Sequence, residues 1–127
     1  QPGFKTHERK TKQVGNFSFC RSTTLDVEAT PMGTYQAIVY RAIGEQWYRQ
    51  CDLNRDLIVT GTVRIRILIN KNGKISSMRQ TSRVGASEVQ KSFTFLAIKL
   101  ARLPAMPPEV RSMLVGDSLE MYFDFNF

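Results

Sequence analysis

The sequence is poor in the residues that carry chemistry. It holds one histidine, one tryptophan and two cysteines in 127 residues. His7 lies in a polar, basic stretch, so neither a triad nor a histidine general base has support. No glycine-rich phosphate loop appears, since Gly61 and Gly73 merely bracket a strand, and the acidic residues are scattered. These absences lead us to expect no enzyme, no catalytic residue, no cofactor and no metal site. Cys20 and Cys51 match no metal-ligand spacing, and the sequence leaves open whether they are free thiols or a disulfide. If bonded, they would add roughly 3–4 kcal/mol of chain-entropy stabilisation and require an oxidising compartment. No apolar run approaches the ~20 residues needed to span a bilayer. The first residue is Gln1 and no signal pattern follows it, as expected of a piece of a longer chain.

What is present is enough for one domain. Hydrophobic residues make up 42%, the ordinary globular share. The formal net charge is +7, which favours anionic partners. Lys5, Arg9, Lys10 and Lys12 crowd the first dozen residues, a pattern more common in solvated linkers than in binding surfaces. Residues 1–33 read as an extension, with one short alternating piece at Asn16–Arg21 able to add an edge strand.

The domain itself is expected over residues 34–127. A helix is predicted from Tyr35 to Gln50, capped by Thr34. Gly61–Asn70 alternates apolar and polar residues and turns through Asn70-Lys71-Asn72-Gly73 into a partner strand at Lys74–Ser82. Ser87 and Gln90 form a capping box for a second helix. Its expected buried stripe is Val89, Phe93, Leu96, Ala97, Leu100 and Leu103, with Phe95 and Ile98 off it. Pro104, Pro107 and Pro108 end that helix. The last nine residues alternate without a miss: Leu119, Met121, Phe123, Phe125 and Phe127 against Glu120, Tyr122, Asp124 and Asn126. The order predicts an α+β two-layer sandwich. Its sheet would be three-stranded and antiparallel, of order 2-1-3, with two helices on one face.

A sheet backed by helices, with a basic pI, resembles an RNA-recognition module, which gives the alternative reading of a nucleic-acid-binding domain. Against it, Val63–Ile69 has no aromatic residue, and Tyr122 alone points outward from the last strand. Arg64, Arg66 and Arg79 could meet phosphates, but pairing across strands with Glu120 and Asp124 is the stronger expectation.

Four stretches share one further resemblance. Tyr35–Ile43 followed by Trp47-Tyr48 is similar to the opening helix of the TolA C-terminal domain. Gly61–Ile75 is similar to the hairpin of TolA and TonB C-terminal domains. Ala97–Pro108 resembles the family's second helix with its proline-rich exit, and the terminal strand completes the register. Ser82–Ala86 and the two cysteines depart from the pattern. The resemblance implies a periplasmic domain at the end of an inner-membrane-anchored, energy-transducing protein, joined to a motor complex through a preceding segment. Its implied partners are periplasmic or outer-membrane proteins, in envelope integrity or in uptake, with neither nucleic acid nor a small-molecule substrate. In a sheet of order 2-1-3 the terminal strand is an open edge, able to take a partner segment as a further strand. Glu120, Tyr122, Asp124 and Asn126, with Arg64 and Arg66, are then the expected partner-binding residues. If the piece around Phe17 and Phe19 covers that edge instead, docking moves elsewhere.

Overall fold

The computed structural model describes residues 13–19 and 29–127. The basic run before Gln13, His7 and Cys20 lie outside them. The first strand, β1 (Gln13–Phe19), precedes helix α1 (Pro31–Leu53). Strands β2 (Thr62–Asn70) and β3 (Ile75–Val84) form the hairpin. Helix α2 (Glu88–Leu100), the short α3 (Pro108–Arg111) and β4 (Ser118–Asn126) complete the chain.

The sheet has four strands in the order β1-β4-β2-β3. This corrects the expected three-stranded antiparallel sheet of order 2-1-3. β4 does pair antiparallel with β2, Phe123 opposite Ile65. Its other side is taken by β1, which runs parallel to it with Phe17 opposite Phe123 and Phe19 opposite Phe125. The sheet is therefore mixed, and the carboxy-terminal strand is interior. The alternation at Phe17 and Phe19 is the cause: both rings are buried, Phe19 completely, and Phe19 stacks on Tyr40 and Phe125. Burying one such ring contributes about 2–3 kcal/mol, enough to hold a short strand that sequence alone rates as marginal.

α1 begins earlier than expected. Thr30, not Thr34, is its cap, accepting the Gly33 N–H at 2.9 Å, and Pro31 occupies the first turn, where its missing N–H is harmless. Asn54 closes the other end, its side chain donating to the Gln50 carbonyl at 2.8 Å. Tyr35, Val39, Ile43 and Trp47 enter the core, as their helical spacing predicts.

α2 starts at the predicted capping box, with both reciprocal bonds formed. Its buried face is rotated from the expected stripe. Gln90, Phe93, Thr94, Ala97 and Ile98 are buried, while Val89, Leu96 and Leu100 are 42–45% exposed. The polar members of the inner face explain the difference, because each is satisfied. The Gln90 side chain donates to the Val59 carbonyl at 2.8 Å and accepts from the Ser87 N–H. Thr94 Oγ1 accepts the Trp47 indole N–H at 3.0 Å, tying α2 to α1. A hydrogen-bonded polar side chain is cheap to bury, so polarity misleads where a partner exists.

Both long helices cover the same sheet face, on which Val63, Ile65, Ile67, Ile69, Leu119, Met121, Phe123 and Phe125 are fully buried. The hairpin tip is locked to the proline-rich exit. Gly73 has φ +85°, the Met106 N–H donates to the Lys71 carbonyl at 3.0 Å, and the Tyr35 hydroxyl donates to the Pro104 carbonyl at 2.8 Å.

Candidate functional site

Strand alternation sends every second residue of β2 and β4 away from the helices. All six expected partner-binding residues land on that opposite face, which no element covers among the described residues. Arg64 faces Asp124 in the ladder, and Arg66 faces Tyr122. The geometry is inward-satisfied. Arg64 makes a two-pronged contact to Asp124, at 2.6 and 3.0 Å. Arg66 reaches diagonally to Glu120, whose side chain is only 9% exposed. The Thr62 hydroxyl donates to Asn126 at 3.0 Å, and the Asn126 amide donates to the Phe19 carbonyl.

The hydrogen bond and charge of Asp124 push the Arg64 guanidinium further above its ordinary range. The bond to Glu120 does the same for Arg66, with Tyr122 adding to it. Both cations are thus neutralised within the fold, as the cross-strand expectation has it. Arg64 and Arg66, already bound to carboxylates, offer little to phosphate; Arg79, expected to pair in the same way, lies opposite Arg66 and takes no ion pair among the described residues. Tyr122 lies half-buried between Arg64 and Arg66.

The edge expected at β4 is filled by β1. Two described edges remain: β1, paired only with β4, and β3, paired only with β2. β3 is wetter than β2: Ser76, Arg79, Thr81, Ser82 and Arg83 are exposed, and, as in β2, no residue of the strand is acidic. The register slips between Leu68 and Ile69 and again between Arg64 and Ile65. Ser77–Gln80 therefore lies as a straight stretch between two irregularities. Such bulges and cations are the devices by which natural sheets discourage indiscriminate edge pairing. The sequence did signal this strand: its weak alternation and Ser/Thr content suit an outer strand that sends only Ile75 and Met78 towards the core.

Under the start of β3 lies a cleft of about 550 Å³, lined by Lys74, Ile75, Met78, Lys99, Arg102 and Leu103 among others. A second hollow, of about 710 Å³, separates the start of α1 from Pro104 and Pro107 and includes Tyr35 and Glu109. No cluster of three or more potential metal-binding side chains occurs among the described residues, and none of the described helices is long and apolar enough to cross a membrane. Cys51 is a half-buried free thiol; burial, then the charge of Asp52, pushes it up to about 12. The other half of the possible disulfide, Cys20, lies outside the described residues. No protein-family model and no curated protein matches this chain.

Proposed function

We propose that this chain is a non-enzymatic, partner-binding domain of the TolA/TonB C-terminal type. In this reading it stands in the periplasm at the end of an inner-membrane-anchored, energy-transducing protein. There it captures extended segments of periplasmic or outer-membrane proteins. The resemblance of the helix, the hairpin and the proline-rich exit supports the family. The observation that carries the binding mode is the sheet order: β3 has a partner on one side only among the described residues, and of the two described edges, β1 and β3, it is the longer. Backbone amides and carbonyls along that side can hydrogen-bond an added strand without elaborate side-chain readout.

The test is a photo-crosslinking amino acid placed at Ser76, on the β3 edge, and at Arg49, on α1, in cells making the whole protein. The expected result is an adduct with an envelope protein at Ser76 and none at Arg49. Adducts at Arg49 with none at Ser76 would overturn the edge as the docking site. Adducts with nucleic acid or cytoplasmic proteins would overturn the compartment.

A further inference from the structure

We infer that the strand accepted by β3 is acidic: it sets a carboxylate beside Arg79 and an apolar side chain in the cleft between β3 and the end of α2. This rests on the reading of β3 as the docking edge and adds the chemistry of the occupant.

Charge is the first argument. Lys74, Arg79, Lys99 and Arg102 stand along and beneath this edge, and none takes an ion pair among the described residues. Arg83, by contrast, is spent: its guanidinium donates to the Ala86 carbonyl at 2.8 Å and to Glu88 at 2.9 Å. Arg79 faces Arg66 across the ladder, and Arg66 is already committed to Glu120. Arg79 therefore finds no free carboxylate on its inner side, and none of the described residues pairs with its outer side. Like charges placed opposite one another destabilise a strand pair, and opposite charges stabilise it. A second copy of this chain, offering the same cationic edge, is disfavoured on those grounds.

The cleft supplies the second argument. Side chains of an added strand alternate between the two sheet faces. Those on Arg79's side meet a cation. Those on the helix side enter a hollow with Ile75, Met78 and Leu103 as floor and Lys74, Lys99 and Arg102 as rim, with no acidic lining residue. An apolar side chain flanked by carboxylates satisfies both levels. The straight stretch Ser77–Gln80 limits the matched register to a short segment, so charge rather than length must supply much of the selectivity.

The experiment titrates the whole chain with two short fluorescent peptides, one alternating glutamate and valine, the other lysine and valine. Amide hydrogen exchange locates the contact. The glutamate peptide is expected to bind, to protect β3 amides and to weaken with salt. The lysine peptide should bind at least ~10-fold less tightly, the size of effect that a charge match across an interface commonly gives. The double variant Arg79→Glu/Lys99→Glu, on exposed side chains and checked for an unchanged melting temperature, should reverse the preference. Equal binding of both peptides with β3 protected would overturn the acidic occupant and leave the docking edge standing. Protection elsewhere, or binding of neither peptide, would overturn the edge as well. Binding of phosphatidylglycerol vesicles but not of the glutamate peptide, abolished by the same double variant, would reassign the cations to a membrane surface and overturn the proposal.

Discussion

Phe19 of β1 rests on the bare backbone of Gly44 in α1: a Cβ at Gly44 would stand 2.9 Å from the Phe19 ring edge. The glycine that weakens the helix by up to ~1 kcal/mol is the seat of the strand's main anchor. Ala at 44 therefore gains helix propensity and loses the ring contact. We expect Gly44→Ala to lower the melting temperature in the native chain. In a Phe19→Ala background, itself costing about 3–5 kcal/mol, the same change should raise it. Denaturant melts of the four chains check this, and a stabilising Gly44→Ala in the native background would refute the packing.

Removing β1 has a second consequence. A chain beginning at Ala29 loses the buried rings of Phe17 and Phe19, about 4 kcal/mol or more in apolar burial. It also uncovers the flank of β4, whose inner face is Leu119, Met121, Phe123 and Phe125. An open apolar edge invites edge-to-edge association. Reduced stability in urea together with concentration-dependent light scattering is the expected outcome; a monomer of unchanged stability would contradict the sheet order.

The lock at the hairpin tip is sensitive to one methyl group. Gly73 has φ +85°, and a Cβ there would lie 2.4 Å from the Pro104 carbonyl oxygen. Left-handed backbone costs an L-residue roughly 1–2 kcal/mol, and the clash adds to it. Gly73→Ala should destabilise by at least ~2 kcal/mol, read by thermal denaturation. Gly116→Ala, equally left-handed but with nothing within 4 Å of its Cβ, isolates the backbone part and should cost less.

Cys51 provides a pH-dependent test. Its proton is held to about 12 in the folded chain against an ordinary 9.0. The folded state therefore keeps a proton that the unfolded state releases. The contribution is fully present below pH 9 and disappears as pH rises towards 12. In a Cys20→Ser chain, alkylation by iodoacetamide at pH 8 should be about a thousandfold slower folded than in urea, following the thiolate fraction. Similar rates in both would show that the thiol is not shielded.

Much of this fold is legible in the sequence because its alternations are strong. β2 and β4 fall where Val63–Ile69 and Leu119–Phe127 place them, and Ser87 with Gln90 caps α2 as their spacing requires. What misled were residues whose partners are distant in sequence. Gln90 and Thr94 read as wet until Val59 and Trp47 are seen beside them. Phe17 and Phe19 read as a marginal strand until Phe123, Phe125 and Gly44 supply the pocket. That single strand moves β4 from the rim of the sheet to its interior. The cross-strand pairing of Arg64 with Asp124 was readable, because both positions follow from the two clearest alternations.

The parallel run of β1 beside β4 also sets how tension would travel. β3 and β1 point the same way, with β4 and β2 between them. Opposed pulls on β1 and β3 from opposite ends of the sheet act along the strand axes. The hydrogen bonds of each ladder are then sheared together instead of being unzipped one after another. The same four strands hauled apart at right angles would peel. The architecture is thus stiff along its strands and weak across them.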